Sequence, residues 1–217
     1  MASDFLFDGP QTAEFTILLG HGAGGAMDSA SMTIAAHALE SVGFRVARFE
    51  FEYMKARRRG GSRRPPPKAE SLKGEYAAAV TDLAARTPLI IGGKSMGGRI
   101  ASMIADELFL SRQIVGLLCL GYPFHPIGKP DQLRTAHLAS LITPALICQG
   151  TRDPFGTADE VAEYALSGSI ELVWFEDGDH DLKPRKRVSG LTAADHQKTM
   201  ANAAANWAAQ LADVGKG

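Results

Sequence analysis

The sequence contains little of what marks a secreted, disulfide-bonded or membrane-spanning protein. Cysteine occurs only twice in 217 residues, as Cys119 and Cys148, each within an apolar run typical of a buried strand. We expect both to be core thiols rather than a disulfide, a metal pair or a nucleophile. Residues 1–10 lack the basic residue of a secretory signal, and no apolar run approaches the length of a membrane span. The prediction is a cytoplasmic protein that does not enter a membrane.

Acidic residues are missing from two short stretches, although the whole chain has a net charge of −1. Seven basic residues and no acid lie between Lys55 and Lys68, and four basic residues and no acid lie between Lys183 and Arg187. Glycine and proline in the first stretch indicate a mobile loop. Neither stretch contains the aromatic side chains that stack on bases, and the rest of the chain is acidic. Nucleic acid is therefore not the expected partner.

Apolar runs alternate with helical patterns along nearly the whole chain. The predicted strands cover residues 15–20, 45–51, 88–93, 114–121, 145–150 and 170–176, with a short extra strand within the first ten residues. The predicted helices cover residues 28–43, 70–86, 98–109, 157–167 and 193–214. This alternation predicts an α/β fold with a doubly wound, mainly parallel sheet of about six to seven strands and helices on both faces. No repeat or linker interrupts it, so we expect one domain over residues 1–217.

The stretch LIIGGKSMGGR, residues 89–99, fits two signatures on the same serine. Residues 93–95, GKS, resemble the end of a phosphate-binding P-loop, whereas residues 93–97, GKSMG, fit the nucleophile elbow of a hydrolase. A P-loop requires a glycine five residues before the glycine of GKS, and that position is Pro88. The elbow requires only a strand, a sharp turn and a helix. We therefore predict that Ser95 is a nucleophile.

A serine nucleophile needs a base and an acid, which such folds place on later strand-end loops. Asp153 follows the predicted strand 145–150, and His180 follows the predicted strand 170–176. An imidazole that accepts the serine proton has to be held in one tautomer by a carboxylate. The predicted catalytic residues are thus Ser95, Asp153 and His180. Three carboxylates around the histidine compete with Asp153 as the orienting acid: Asp177, Asp179 and Asp181.

Glycines follow the first central strand in the sequence HGAGG, residues 21–25. Backbone N–H groups in such a turn can stabilise the oxyanion of an acyl-transfer reaction. We predict Ala23 or Gly24 as one donor and Met96, the residue after the nucleophile, as the other. The glycines also fit a dinucleotide-binding loop, but the next strand lacks a convincing ribose-binding acid. No cofactor and no metal ion are therefore expected.

Further residues are expected to contact the substrate: His21, Lys94, Tyr122, His125 and Arg57. His21 is also expected to brace the oxyanion turn. Both basic stretches follow strands at their carboxyl ends, where ligands bind in such folds. We therefore expect a positive rim around the site, with arginines suited to a carboxylate or phosphate group. The expected partner is a small-molecule acyl substrate, and this rim favours an anionic one.

These motifs resemble those of the α/β-hydrolase superfamily, from Phe15 to the last helix. Within it, the chain is similar to the small cap-less serine hydrolases akin to the dienelactone-hydrolase group. The segments FEYM, RRRGG, RPPP and GGKSMGGR look closer to a branch related to testis-expressed and histone-acetyltransferase-complex hydrolase-like proteins. The resemblance implies a serine hydrolase fold with a poorly defined substrate. Dienelactone hydrolases use a cysteine nucleophile, so Ser95 argues against that specific activity.

The expected activity is cleavage of a carboxylic ester or related acyl compound through an acyl-enzyme. Only residues 122–144 separate two predicted strands where lids are usually inserted. The site should therefore be open, and the substrates smaller or more polar than long-chain lipids. A thioesterase or peptidase would use the same triad, and a hydrolase-like scaffold that binds without turnover is a further alternative.

Overall fold

Seven strands form one sheet in the computed structural model, which describes residues 3–61 and 65–214. The strands are β1 Phe5–Asp8, β2 Thr16–Gly20, β3 Arg45–Phe49, β4 Leu89–Lys94, β5 Gly116–Leu120, β6 Ala145–Gly150 and β7 Ile170–Phe175. Their order across the sheet is β1-β3-β2-β4-β5-β6-β7. β1 pairs antiparallel with β3, whereas the other neighbours pair parallel. The predicted α/β fold with a mainly parallel sheet is confirmed.

Helices connect most of these strands. They are α1 Ala30–Glu40, α2 Glu52–Arg58, α3 Lys73–Leu83, α4 Met96–Ser102, α5 Ala105–Leu110, α6 Ala158–Ala162, α7 Lys186–Ser189 and α8 Ala193–Val214, with one turn of 3₁₀-helix at Ala69–Leu72. None of the helices in the described ranges has both the length and the apolar character needed to cross a membrane. Residues 122–144, between β5 and β6, form turns and bends without a helix or strand.

The central strands bury side chains on both faces of the sheet, because successive residues of a strand point in opposite directions. Leu18 and Leu117 pack in a core cluster with residues of α3, α4 and α5. Ile17 and Leu118 pack on the other face with residues of α1 and α8. Coverage of both faces explains why these strands are continuous apolar runs in the sequence. Parallel pairing places the carboxyl ends of these strands at one edge of the sheet, where the loops that follow them meet.

Some helices are shorter than the sequence predicts. The helix expected over residues 98–109 is divided into α4 and α5, because Ile104 adopts φ −121° between them and its side chain is buried. The helix expected over 157–167 covers only α6, and the one expected over 70–86 ends at Leu83, where Ala84 is left-handed with φ 44°. A left-handed residue ends an α-helix because it turns the chain away from the helix axis.

The first basic stretch begins in a helix, which corrects the expectation of a loop from Lys55. α2 covers Glu52–Arg58 and buries the side chain of Met54 against the body of the protein. A buried apolar side chain fixes the helix, although Arg58 and Arg59, which follow it, are exposed. Residues 62–64 of the same stretch lie outside the described residues.

Candidate active site

Ser95 occupies a sharp turn between β4 and α4. Its backbone has φ 51° and ψ −116°, a region that residues with a side chain rarely adopt. The turn is possible because Gly93 and Gly97 have no Cβ atom. A Cβ atom at either position would collide with the carbonyl oxygen of Gly20 on the neighbouring strand. The strained turn therefore depends on glycine on both sides of the serine, and it presents the Ser95 hydroxyl at the carboxyl end of the sheet.

A chain of hydrogen bonds joins Ser95 to two residues on other strand-end loops. The Ser95 Oγ atom lies 2.8 Å from His180 Nε2, and His180 Nδ1 lies 2.7 Å from Asp153 Oδ2. Because an ionised carboxylate only accepts hydrogen bonds, Nδ1–H donates to Asp153, and Nε2 is left to accept the serine proton. The side chain of Asp153 is fully buried, whereas that of His180 is 23% exposed. The imidazole thus connects a buried carboxyl group to an accessible hydroxyl.

Asp153 is oriented by two further donors. The Gln149 side-chain amide donates to Asp153 Oδ2 over 2.9 Å, and the Phe155 backbone N–H donates to Oδ1 over 2.9 Å. Gln149 is itself fixed, because its Oε1 accepts the Tyr122 backbone N–H over 2.7 Å. The Phe155 ring packs on the His180 ring, with 4.3 Å between the ring centroids. Sequence reasoning missed Gln149, although a polar residue in the apolar strand β6 is a signal for such a role.

The competing carboxylates near His180 have other partners. Asp177 accepts hydrogen bonds from the Arg185 backbone N–H, over 2.6 Å, and from the Arg185 guanidinium. These bonds to Arg185 lower the pKa of Asp177 to about 2. Asp179 Oδ1 accepts the backbone N–H groups of Asp181 and Lys183, each over 2.9 Å. The ring nitrogen of His180 is therefore left to Asp153.

The glycine-rich turn at residues 21–25 lies beside Ser95 and is held by a buried neutral histidine. His21 Nδ1 donates to the Gly22 carbonyl over 2.7 Å, and His21 Nε2 accepts the Phe51 backbone N–H over 3.2 Å. Burial lowers the pKa of His21 from 6.5 to about 4. Neutral imidazole has one donor and one acceptor, so both ring nitrogens are satisfied. β3 ends at Phe49, two residues earlier than predicted, and the Phe51 N–H bonds to His21 after the strand has ended.

A tyrosine next to His21 also holds this turn. The Tyr53 hydroxyl donates to the Ala23 carbonyl over 3.1 Å, and the Arg57 guanidinium lies over the Tyr53 ring, 5.2 Å from its centroid. With its carbonyl turned to Tyr53, Ala23 is fixed beside the cleft that contains Ser95. The Met96 N–H lies in the first turn of α4, where no preceding helical carbonyl accepts it. Sequence reasoning did not assign Tyr53 a role.

An open cleft of about 340 Å³ contains Ser95 and His180. Its walls include the glycine-rich turn at residues 22–25, Lys94, Phe155 and Asp181. Both candidate oxyanion donors of the turn, Ala23 and Gly24, are among these residues. The cleft therefore combines a hydroxyl, an imidazole and a backbone turn in one place, which is the set of groups that acyl transfer requires.

Residues 13–209 match the family model described as the alpha/beta hydrolase domain. The chain belongs to the α/β-hydrolase family. Its relatives include a protein of Pongo abelii named "Putative protein-lysine deacylase ABHD14B", which is 30% identical over 149 residues, or 68% of this chain and 66% of that protein. The Homo sapiens protein of the same name is 28% identical over 148 residues, with the same coverage of 68% and 66%. The match thus spans 66% of the length of these relatives.

Solved structures of the same fold agree with this assignment. The dienelactone hydrolase from Anabaena variabilis superimposes with a TM-score of 0.70 at 19% identity, covering 94% of this α/β-hydrolase and 89% of that chain. XC6422 from Xanthomonas campestris, an α/β serine hydrolase without a lid, superimposes with a TM-score of 0.66 at 18% identity, with coverage of 94% and 89%. At such identities the likeness establishes the fold.

Two of the residues expected to contact substrate are buried below the cleft of this α/β-hydrolase. The Tyr122 side chain is fully buried, and its hydroxyl donates to the Arg134 carbonyl over 3.0 Å. His125 is 2% exposed, and its Nδ1 donates to the Pro126 carbonyl over 2.9 Å. Their positions support the loop after β5 rather than the cleft wall. His21 is equally buried, and Arg57 stacks on the Tyr53 ring and is not among the residues that line the cleft. Of the five, Lys94 lines the cleft.

One group within the described ranges has the geometry of a metal site. Asp8, His37 and Glu40 bring three ligand atoms within 4.8 Å of one another at the edge of the sheet. Asp8 Oδ2 already pairs with the Arg48 guanidinium over 2.9 Å, which neutralises the most buried carboxylate of the group. These residues belong to β1 and α1 and have no part in the cleft.

Proposed function

We propose that this α/β-hydrolase is a serine hydrolase that transfers the acyl group of its substrate first to Ser95 and then to water. One observation carries the proposal: the hydrogen-bonded chain of Ser95, His180 and Asp153 starts from a strained strand-to-helix turn in an open cleft. A serine hydroxyl is a weak nucleophile at neutral pH, and an adjacent oriented imidazole activates it.

The first half of the proposed reaction forms the acyl-enzyme. Ser95 Oγ attacks the carbonyl carbon while His180 Nε2 takes the hydroxyl proton, and the carbonyl becomes a tetrahedral oxyanion. The oxyanion collapses when His180 gives this proton to the leaving group, so the bond between carbonyl carbon and leaving group breaks. Asp153 stays ionised and compensates the imidazolium charge.

The oxyanion is proposed to receive hydrogen bonds from two backbone N–H groups. Met96 supplies one from the first turn of α4, and Ala23 or Gly24 supplies the other. Each such donor is worth about 3 kcal/mol of transition-state stabilisation. Hydrogen bonds from His21 and Tyr53 to carbonyls of the turn support this geometry, because they fix the carbonyls away from the oxyanion.

The second half of the proposed reaction returns Ser95 to its starting state. A water molecule attacks the acyl carbon as His180 takes one of its protons, and the acid product leaves when Ser95 Oγ regains that proton. The open cleft supports this step because water can reach the acyl group. The sum is hydrolysis of one acyl bond without a redox change.

Carboxylic esters are the first substrate class we propose, since the cleft is open and residues 122–144 form no lid. The relatives named protein-lysine deacylases favour a second class, the acyl amide of a lysine side chain. Thioesters would use the same residues. All three classes give the same acyl-enzyme, so the leaving group distinguishes them.

The test of the proposed nucleophile compares two serine variants. In Ser95→Ala we expect no labelling by a fluorophosphonate probe and a loss of ester turnover of about 10⁴-fold. The matched control is Ser102→Ala, because Ser102 Oγ also contacts a histidine, His137 Nε2, over 2.8 Å, but Ser102 is 3% exposed. The control should keep both labelling and turnover.

Labelling that survives Ser95→Ala would contradict the proposal. A parent protein that neither reacts with the probe nor turns over short esters would instead indicate a scaffold.

To separate the substrate classes, turnover of a short-chain aryl ester, an acyl thioester and an acyl-lysine peptide would be compared at equal concentration. Mass spectrometry would measure the acyl adduct on the peptide that contains Ser95.

A further inference from the structure

The residues adjacent to Ser95 and His180 form a second contact between the same two segments. Lys94 ends β4 directly before Ser95, and Asp181 directly follows His180. Lys94 Nζ lies 2.6 Å from Asp181 Oδ1, and the neighbouring Ser95 Oγ lies 2.8 Å from His180 Nε2. The Lys94–Asp181 contact and the Ser95–His180 contact therefore lie next to each other and join the same two segments.

Lys94 also holds the backbone of His180. Its Nζ donates to the His180 carbonyl over 3.0 Å, and the Lys94 side chain is 14% exposed. The loop is confined on the side of β5 as well, because a Cβ atom at Gly121 would lie 2.6 Å from the His180 carbonyl oxygen and 3.3 Å from Nδ1. The backbone of His180 is thus held by the Lys94 hydrogen bond and packed closely against Gly121.

We propose that Lys94 and Asp181 act as a positioning pair, which holds His180 at hydrogen-bond distance from Ser95. The proposal deepens the proposed function and rests on it. A pair of opposite charges with three donors on the lysine can hold both the Asp181 carboxylate and the His180 carbonyl at once. A displacement of about 1 Å in such a site costs about 100-fold in rate, which is why a second contact beside the reacting pair matters.

The Asp181 carboxyl group is ionised at neutral pH. Burial raises the pKa of Asp181, but the hydrogen bonds and charges of Lys94 and Lys183 together outweigh this effect and leave the pKa below its usual value. Lys183 also contacts Asp181, over 3.3 Å, from a more exposed position with 53% of its side chain accessible. One carboxylate thus has an inner and an outer lysine, which provides a matched comparison.

Charges on several elements surround the His180 imidazole. Asp153 of the β6 loop contacts it directly, and Lys94 of β4 and Asp181 of its own loop form the pair. Asp179 lies 3.7 Å from Arg152, which balances its charge. Removal of Lys94 takes away a cation beside the imidazole and leaves Asp181 with the more distant Lys183 alone, which favours protonation of the imidazole. Removal of Asp181 takes away an anion and opposes this protonation.

The experiment measures kcat, KM and the pH profile for a neutral short-chain ester. In both Lys94→Met and Asp181→Asn we expect kcat to fall by about 10-fold to 100-fold, with KM within about twofold of the parent value. The acid limb of the profile should move to higher pH in Lys94→Met and to lower pH in Asp181→Asn. The double variant should keep the low kcat but return the acid limb to its parent position.

Two controls separate positioning from other effects. Lys94→Arg keeps the charge and should recover part of kcat. Lys183→Met removes the outer lysine and should lower kcat for the neutral ester much less than Lys94→Met does. Thermal unfolding of each variant shows whether the fold is retained. If Lys183→Met lowers kcat as much as Lys94→Met does, the effect is one of general charge and the proposal is overturned.

Other results would also overturn the positioning pair. These are single variants with the kcat and acid limb of the parent, or a loss confined to KM for a carboxylate-bearing ester, which would make Lys94 a substrate contact. Failure of the proposed function gives a different result. In that case the parent protein and Ser95→Ala would have the same ester turnover, and this would be known before any Lys94 or Asp181 variant is compared.

Discussion

At the scale of single residues, the choice of the orienting acid depends on reach rather than on proximity in sequence. Asp177, Asp179 and Asp181 are the nearest carboxylates to His180 along the chain, but their oxygens bind Arg185, backbone N–H groups and Lys94. Asp153, 27 residues before His180, contacts its Nδ1 atom. A carboxylate on an adjacent residue points along its own loop, whereas one from the neighbouring strand end meets the imidazole edge.

The first prediction concerns this choice. Asp153→Asn should lower ester turnover by about 10⁴-fold, because an amide cannot stabilise the imidazolium and favours the wrong tautomer. Asp177→Asn is the matched control and should keep turnover near that of the parent, although it weakens the contact with Arg185. Steady-state kinetics of both variants show which of the two carboxylates orients His180. The opposite pattern, with turnover lost only in Asp177→Asn, would assign the acid to Asp177.

At the scale of elements, the glycine-rich turn depends on the segment that follows β3. His21 accepts the Phe51 N–H, and Tyr53 at the start of α2 donates to Ala23. These contacts join the turn to α2, and the one from Phe51 requires a neutral His21. Protonation of His21 would turn its Nε2 into a donor that faces another donor, the Phe51 N–H.

The second prediction is a pH dependence of stability. The pKa of His21 is lowered to about 4 in the folded protein, so between pH 6.5 and 4 the unfolded state binds more protons than the folded state. Stability should therefore fall as the pH is lowered through this window, with a His21 contribution on the order of 3 kcal/mol.

Urea unfolding at pH 7, 5.5 and 4 checks this contribution. His21→Asn removes the titrating group, so its free energy of unfolding should decrease less between pH 7 and pH 4 than that of the parent. His37→Asn is the control, since the His37 side chain is 62% exposed. Equal pH dependence in His21→Asn and the parent would show that His21 does not contribute.

At the scale of the whole molecule, tertiary contacts balance much of the charge that the sequence shows as basic runs. Arg58 pairs with Asp28 and Glu50, and Arg59 lies 3.7 Å from Glu52. In the second run, Arg185 pairs with Asp177 in the same way. The positive rim predicted around the cleft would therefore be weaker than a count of charges along the chain indicates, and both the rim and its role in substrate capture stay predictions.

The third prediction tests this rim with two esters of equal size, one neutral and one bearing a carboxylate. Lowering the salt concentration should raise kcat/KM of the anionic ester relative to the neutral one, on the order of 10-fold. The variant with Arg57, Arg58 and Arg59 changed to glutamine should lose this gain. A control with Arg45, Arg86 and Arg112 changed to glutamine removes three charges near the amino ends of β3, β4 and β5. Equal loss in both variants would contradict a local rim.

The sequence by itself determined the architecture and the order of the reacting groups. Burial on both faces of a parallel sheet produces continuous apolar runs, so the strands could be located to within a few residues. The elbow could be predicted because it needs small residues at two set positions around the serine, and the sequence has glycine at both. Ser95, Asp153 and His180 could be chosen because each follows a separate strand at the edge where the loops meet.

The tertiary structure decided the contacts between segments distant in the chain. It divided the helix predicted over residues 98–109, formed α2 where a loop was expected and buried Tyr122 and His125 below the cleft. It also placed Gln149 on Asp153 and Lys94 on Asp181. The physical reason is that periodicity reports only whether a residue faces the core or solvent. A hydrogen bond or ion pair depends on distances of about 3 Å between atoms, which the packing of several elements sets together.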